Sequence, residues 1–351
     1  MVSAGIGTVT SFLALSLVAA CRDKSPESAR PKVVVSSVSQ HYGTTREVTL
    51  TQPESTLLVR ASGVAFSKDG RIAIGDASEG NIKLYAADGH LLTVLGKKGE
   101  GPNEFRAPRW LQFGRDGELL VADAQLERVA TFDSTGAYKG QVLLSNLGTL
   151  HSFLTDAAGE WVVLASRSDS KNVVHVLDSS GRSIRSYLPI RDVRPKGAQS
   201  SQWFRAVADF RFVLRSDTAF VVSTVMDSLW WVDLHSGLSG SVQIPLPDYR
   251  QIREPVPDDH IPRNPAGLFQ HLKKFHSAAA VAASPTEVVV SFVQGVLNFG
   301  DPQVLAIRDR RGDWSIVSDA GPLVNLSHSS VVTLSVLDQS PIGFKLLSEQ
   351  K

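Results

Sequence analysis

The chain has 351 residues, of which 42% are hydrophobic and 20% charged, and its formal net charge at pH 7 is +1. This length suits one large all-β domain or two ordinary domains, and the ordinary globular composition excludes global disorder. The near-neutral charge gives no support for a nucleic-acid partner. Because Cys21 is the only cysteine, an internal disulfide and a cysteine-based metal site are both excluded.

The N-terminus has the pattern of a signal peptide. Residues 11–20 read SFLALSLVAA, and Cys21 follows them. A short apolar run that ends in small residues predicts a cleaved signal over residues 1–20, and this run is too short for a comfortable membrane span. A lipoprotein signal is favoured over a plain signal peptide or a chance apolar stretch. The polar residues 22–32, which include two prolines, are predicted to form a flexible tether.

An internal repeat predicts the fold. Residues 64–89 align without a gap on residues 111–136. The alignment matches a turn dipeptide, an aspartate and an aromatic residue: Asp69-Gly70 with Asp116-Gly117, Asp76 with Asp123, and Tyr85 with Phe132. Asp-Gly favours a tight hairpin turn because glycine tolerates a positive φ. Four short antiparallel strands that recur every 40–50 residues or so are typical of a propeller blade.

Weaker copies of the unit lie at 151–190, 212–244 and 279–317. With the strands left over at both ends, they predict an all-β fold, a single β-propeller of six four-stranded blades over residues 33–351. Seven blades are less favoured at this length. Pairing of the N- and C-terminal strands would close the ring and remove exposed sheet edges. Phe105 and Phe132 are predicted to pack in the core.

The connection between the two best repeats carries a family resemblance. A glycine-rich stretch is followed by Glu104-Phe105 and Pro108, and the next repeat contains Val121-Ala122-Asp123 and Arg128. Over residues 60–145 this resembles the bacterial six-bladed β-propeller lipoproteins with NHL-like repeats. The first repeat departs from the pattern, since it has Asn81 at the position of Arg128.

The residues around Cys21 resemble a lipobox. Val18-Ala19-Ala20-Cys21 matches the lipobox of bacterial lipoproteins, although residues 1–20 contain no Lys or Arg. The resemblance implies cleavage before Cys21, a diacylglycerol on its thiol, and attachment to the cell envelope through that lipid. Arg22 stands where an aspartate would signal inner-membrane retention, which favours the outer membrane or the periplasmic side.

The sequence assigns no catalytic residue, metal or cofactor. Asp76 and Asp123 recur at one place in successive repeats, so they are predicted to bond turn backbone or, for Asp123, Arg128, in preference to acting as ligands or acids. The glycine-rich stretch 96–101 is predicted to be a linker, because its flanking prolines disfavour the helix of a phosphate cradle. Asp258-Asp259-His260 has suitable ligand types but no partner motif, and no Gly-x-Ser-x-Gly elbow is present.

Two insertions, near residues 191–205 and 245–276, break the blade rhythm. The first lies in a stretch rich in Lys and Arg. The second contains a predicted helix over Ala266–Phe275 that Asn264-Pro265 would begin. The candidate binding residues, whose basic and aromatic types suit anionic or carbohydrate-like ligands, are Arg191, Arg194, Trp203, Arg205, His271 and Lys274. The alternatives are solvated basic strand edges for the first insertion and a plain lid for the second.

The function predicted from these features is that of an envelope-anchored, non-catalytic binding or scaffolding module for a protein, peptide or carbohydrate-like ligand. The alternative is a periplasmic propeller enzyme of the lactonase or lyase type. That alternative would need convergent carboxylate, Asn or His side chains at the channel mouth, which the sequence does not reveal. The choice depends mainly on analogy, because one fold supports many functions.

Overall fold

The computed structural model describes residues 32–37, 40, 42–144, 147–156, 158–166, 171–178, 180–193, 209–252, 265–295, 303–320, 323–326, 331–336 and 342–349. The predicted signal peptide, Cys21 and the predicted helix cap Asn264 lie outside these residues. Within them, no helix is both long enough and apolar enough to cross a membrane.

Two strands precede the first blade: β1 (Val33–Ser37) and β2 (Tyr42–Thr49). Blade 1 is an antiparallel meander of β3 (Ala61–Phe66), β4 (Ile72–Asp76), β5 (Asn81–Tyr85) and β6 (Leu91–Leu95). A short parallel pair forms the connection to the next blade: β7 (Lys97–Lys98) and β8 (Glu104–Phe105). Blade 2 contains β9 (Pro108–Phe113), β10 (Leu119–Asp123), β11 (Arg128–Phe132) and β12 (Tyr138–Leu143).

The next two blades repeat the meander. Blade 3 contains β13 (Thr149–Thr155), β14 (Trp161–Ser166), β15 (Asn172–Leu177) and β16 (Ser183–Pro189). Blade 4 contains β17 (Phe210–Arg215), β18 (Thr218–Ser223), β19 (Ser228–Asp233) and β20 (Ser239–Gln243).

One helix and two further blades complete the described part of the chain. The helix is α1 (Pro265–Leu272). Blade 5 contains β21 (His276–Ala283), β22 (Val288–Gln294), β23 (Gln303–Arg308) and β24 (Trp314–Ala320). Blade 6 contains β25 (Leu323–Leu326), β26 (Val331–Val336) and β27 (Ile342–Glu349), with β2 as its fourth strand.

The ring is closed by the two ends of the chain. β2 pairs antiparallel with β27, from Tyr42 opposite Glu349 to Thr49 opposite Gly343. Val48 and the following Leu50 are buried in one apolar cluster with side chains of blade 1. The predicted pairing of N- and C-terminal strands is therefore confirmed. The sequence analysis did not foresee the place of β1. This strand adds a fifth strand to blade 5 by pairing parallel with β24.

The core lies between successive blades. The apolar clusters join blades 1 and 2, blades 2 and 3, blades 3 and 4, and blades 4 and 5. Because both faces of an inner strand are covered, β10 is buried along its whole length and reads as a nearly continuous apolar run. Phe105 and Phe132 are 0% and 1% exposed, with ring centroids 6.2 Å apart, so their predicted core position is confirmed.

The helix begins at Pro265, as predicted, but it ends at Leu272 and not at Phe275. The chain tightens there, since the N–H groups of Lys274 and Phe275 donate to the carbonyl oxygens three residues earlier. His276 then begins β21, and from there the backbone groups make the hydrogen bonds of a β-sheet instead of those of a helix.

Strand direction defines one face of the ring. The strands of each blade alternate in direction, so a fourth strand ends towards the side on which its blade's first strand began. The face at which the first strands begin is called the connection face, and it includes Ala61, Pro108, Thr149, Phe210 and His276. The chain segments that contain the two insertions end at Asp209 and Phe275, just before β17 and β21, so both segments lead into this face.

Candidate binding site at the channel mouth

The first strands of blades 1 to 6 contact one another in succession and so surround the centre of the ring. Those of blades 2 to 4 place charged or titratable side chains close to the connection face. Arg109 lies on β9, His151 lies on β13, Asp209 lies directly before β17, and Arg211 is the second residue of β17. Three consecutive blades therefore contribute to one cluster at the channel mouth.

Asp209 is the centre of this cluster. Its Oδ1 accepts hydrogen bonds from His151 Nδ1 at 2.6 Å and from the Phe210 N–H at 2.9 Å. Its Oδ2 faces Arg211 Nη1 at 2.5 Å and Arg109 Nη2 at 3.5 Å. The two oxygens are thus divided between an imidazole on one side and two guanidinium groups on the other.

The electrostatics of the cluster leave an excess of positive charge. Burial acts to raise the pKa of Asp209, but the His151 hydrogen bond and the Arg211 charge outweigh it and hold that pKa well below its ordinary value. The carboxylate is therefore ionised at neutral pH. Burial lowers the pKa of Arg109 from its ordinary value, although a guanidinium remains protonated in proteins. Two cationic side chains consequently share one anionic partner.

Local structure positions these side chains. The pairing of β13 with β14 shifts register between Leu150 and Ser152, and such a bulge re-aims the side chain within it, here His151. The His151 ring packs edge-on against Phe210, with centroids 5.1 Å apart. The Arg109 guanidinium lies over the Trp110 ring, with its central carbon 5.2 Å from the ring centroid, and this cation–π contact helps to position it. The Arg109 side chain is 44% exposed, whereas that of His151 is 8% exposed.

The residues predicted from the sequence fall in different surroundings. Arg191 is exposed beside Asp192, with Nε and Oδ1 3.6 Å apart, and Lys274 is exposed just before β21. His271 is buried, with its ring 5.1 Å from that of Phe275, so it does not present its imidazole at the surface. The candidates Arg194, Trp203 and Arg205, together with Cys21, lie outside the described residues.

The two recurring aspartates have structural surroundings. Asp123 accepts four backbone N–H groups, those of Arg106, Ala107, Gln125 and Leu126. Asp76 accepts the equivalent four, those of Val59, Arg60, Ser78 and Glu79. Each carboxylate thus ties the turn after its strand to the segment that leads into the same blade, as the prediction of a structural role required.

Arg128 contacts the linker between blades 1 and 2. The sequence analysis also allowed a bond between Arg128 and Asp123. In the structure Arg128 contacts main-chain oxygens instead, because the linker turns its carbonyl groups towards the guanidinium. Arg128 donates to the carbonyl oxygens of Glu100 and Gly101, both at 2.9 Å, and to that of Glu104. The glycine-rich stretch therefore runs from strand to strand and is held by an arginine.

Potential metal ligands do not converge in the part of the chain that the structure describes, where no group of three or more His, Cys, Asp or Glu side chains is placed to hold an ion. Asp258-Asp259-His260 lies outside that part. The sequence analysis had not singled out Arg109, His151, Asp209 or Arg211. The sequence offered only a weak signal for them, namely a charged or titratable residue near the start of each of three first strands.

Comparison with known proteins places the chain among propellers. A family model described as a 6-bladed β-propeller matches residues 37–228. No curated protein matches the chain.

Several solved structures have a similar fold. One, from Bacteroides fragilis and assigned as an exported protein, aligns with a TM-score of 0.61 at 10% identity, over 91% of this chain and 99% of its own. A DUF4221 family member from Bacteroides vulgatus aligns with a TM-score of 0.62 at 9% identity, over 89% of this chain and 99% of its own. Virginiamycin B lyase from Staphylococcus aureus aligns with a TM-score of 0.48 at 11% identity, over 86% of this chain and 98% of its own. This likeness carries no argument about function.

Proposed function

The chain belongs to the family of 6-bladed β-propellers, and from this premise we propose that it binds an anionic ligand at the mouth of its channel. The ligand is a protein, peptide or carbohydrate-like molecule that carries carboxylates. One observation carries the proposal: Arg109 and Arg211 share the single carboxylate of Asp209. A guanidinium binds a carboxylate through two parallel hydrogen bonds, and Arg109 is both exposed enough and weakly enough paired to do so.

The insertions would extend this site. The two segments lead into the connection face at Asp209 and Phe275, next to the first strands that carry the cluster. Arg191, Arg194, Trp203, Arg205 and Lys274 are therefore proposed as outer contacts, whereas the buried His271 is proposed to support the helix. Loops of this kind often carry the specificity of a rigid scaffold. If they bind the ligand, charge reversal at Arg194 and Arg205 will weaken binding most strongly at low salt.

Binding can be tested by calorimetry with oligogalacturonate, a glycan rich in carboxylates, and with a neutral galactose oligomer as the comparison ligand. Binding of the acidic oligomer should weaken as salt increases, and Arg109→Gln and Arg211→Gln should each reduce the affinity about 10-fold or more. Arg182→Gln is the matched control, because Arg182 is an exposed arginine in the outer turn of blade 3. Equal binding of both oligomers, or equal effects of all three substitutions, would contradict the proposal.

The protein is further proposed to act in the cell envelope as a lipoprotein anchored through Cys21, at the outer membrane or on the periplasmic side. The signal pattern of residues 1–20 supports export, and so does the similar fold of the Bacteroides fragilis protein assigned as exported. Mass spectrometry of the mature N-terminus after membrane extraction should detect a lipid on Cys21 as the first residue. An unmodified Cys21, or a soluble protein that retains residues 1–20, would refute the anchor.

A further inference from the structure

A hydrogen-bonded series of three side chains runs through the cluster. Ser166 Oγ lies 2.7 Å from His151 Nε2, and His151 Nδ1 lies 2.6 Å from Asp209 Oδ1. A hydroxyl, an imidazole and a carboxylate linked in this order through the two ring nitrogens form the arrangement that activates a serine nucleophile. The three residues come from β14, from β13 and from the segment before β17, so two blades build the series.

The surroundings fix the direction of the hydrogen bonds. Asp209 is ionised and can only accept, so the proton of a neutral His151 imidazole resides on Nδ1. Nε2 is then the acceptor for the Ser166 hydroxyl. Because Arg211 and Arg109 bind the other carboxylate oxygen, Oδ1 remains directed at the imidazole. The base is thus oriented on both sides before any substrate arrives.

Comparison of the blades shows that this serine replaces a structural residue. Ser166 pairs with Thr149 as Asp76 pairs with Ala61 and as Asp123 pairs with Pro108. In blades 1 and 2 the aspartate at this position accepts hydrogen bonds from turn backbone. In blade 3 the position holds Ser166, a partly exposed residue whose hydroxyl is directed at His151. In blade 4 the equivalent residue is Ser223, which pairs with Phe210 and has a buried hydroxyl with no hydrogen-bond partner within the described structure.

We propose that Ser166, His151 and Asp209 form a nucleophilic centre that hydrolyses an ester of a carboxylate-bearing substrate. The location of the substrate rests on the proposed function, since Arg109 and Arg211 would bind its free carboxylate. The nucleophile itself does not depend on that binding.

The reaction has two balanced halves. Ser166 Oγ forms a bond with the ester carbonyl carbon while its proton passes to His151 Nε2. The tetrahedral intermediate then expels the alkoxide, which takes that proton and leaves as the alcohol. Water then attacks the resulting acyl-serine and gives one proton to His151 Nε2. The Ser166 oxygen leaves and regains that proton, and the carboxylic acid is released. The sum is ester plus water to acid plus alcohol, and no redox partner is needed.

The nucleophile can be tested with a fluorophosphonate probe followed by peptide mapping, and with hydrolysis of 4-nitrophenyl acetate. The label should appear on Ser166, and Ser166→Ala should abolish both labelling and hydrolysis above background. His151→Gln should lower the rate about 10²–10⁴-fold. Ser223→Ala is the matched control and should retain both activities. An unlabelled Ser166 in the folded wild-type protein, or full hydrolysis by Ser166→Ala, would overturn the proposal and leave a purely structural network.

A second pair of measurements separates the nucleophile from the anion site. The Ser166→Ala variant should bind oligogalacturonate as the wild type does, because its two arginines are intact. The wild type should prefer 4-nitrophenyl hydrogen succinate, which has a free carboxylate, over the neutral acetate, and Arg109→Gln should remove that preference through KM. Labelling without this preference would contradict only the carboxylate site. Anion binding without labelling would contradict only the nucleophile.

Discussion

Lys83 and Asp76 form a buried ion pair inside blade 1. Lys83 Nζ lies 3.0 Å from Asp76 Oδ2, and the two side chains are 1% and 0% exposed. Asn81 Oδ1 accepts a second bond from the same ammonium. In blade 2 the position of Lys83 is occupied by Ala130, where Asp123 accepts the same four backbone bonds. Blade 1 therefore compensates its buried carboxylate with an additional full charge.

Removal of that charge should destabilise the protein strongly. Lys83→Met leaves the Asp76 carboxylate buried without its cationic partner, and we expect a loss of about 3–5 kcal/mol in the free energy of unfolding. Urea unfolding followed by circular dichroism measures this loss. Lys98→Met, which changes an exposed lysine, should cost about 0.5 kcal/mol or less. A loss under about 1 kcal/mol for Lys83→Met would mean that the backbone N–H groups alone stabilise the buried Asp76 carboxylate, as they do for Asp123.

The same carboxylate should contribute to acid sensitivity. Burial acts to raise the pKa of Asp76, but the hydrogen bonds from the Val59 N–H and from Lys83 outweigh it, so this pKa is lower in the folded state. The stabilisation from Asp76 is therefore present above about pH 4, the ordinary value for an aspartate, and is lost as pH falls towards the lower folded pKa. The stability difference between wild type and Asp76→Asn should shrink over that range. A difference that stayed constant from pH 6 to pH 3 would contradict the assignment.

Closure of the ring can be tested at Gly89. This glycine has φ +95°, and a Cβ there would lie 2.2 Å from the Thr49 carbonyl oxygen at the end of β2. We expect Gly89→Ala to cost about 2–4 kcal/mol, from the left-handed backbone and from the displaced strand together. Gly159→Ala is the matched control, since Gly159 has φ +85° and open space around the added atom, and should cost about 1–2 kcal/mol. Equal losses of stability for the two variants would indicate that the end of β2 moves away from the added methyl group without cost.

The core between blades 1 and 2 can be tested at Phe132. Its ring lies 6.2 Å from that of Phe105 and 5.8 Å from that of Tyr138, between centroids. Phe132→Ala should cost about 3–5 kcal/mol in denaturant unfolding, because the cavity lies between two blades that cannot easily close. Leu143→Ala, in the outer strand of the same blade, changes a side chain that is 58% exposed and should have little effect. Similar midpoints for the two variants would refute the core assignment.

The sequence predicted the features that repeat. The matched turns, aspartates and aromatic residues of blades 1 and 2 indicated the blade unit, and the unpaired ends indicated closure through β2 and β27. The NHL-like character of the blades stays a prediction. The parallel pairing of β1 with β24 could not be foreseen, since Val33–Ser37 has the pattern of any short strand.

The candidate site was missed for a different physical reason. Its members lie far apart in the chain, with Arg109 and Asp209 separated by 100 positions, and no spacing rule connects them. They come from three different blades, and only the curvature of the ring brings them together. Ser166 and His151 gave no motif either, because their contact depends on a β-bulge that the sequence does not encode visibly.

The place of β1 has a mechanical consequence. β1 precedes β2 in the chain, and its five residues form a ladder with β24, while the Trp314 N–H donates to the Lys32 carbonyl oxygen at 2.9 Å. A tension applied upstream of Lys32 therefore reaches the β1–β24 ladder before it reaches the β2–β27 ladder that closes the ring. We therefore expect a pulling force at that end to separate β1 from β24 before it loads the strand pair that closes the ring.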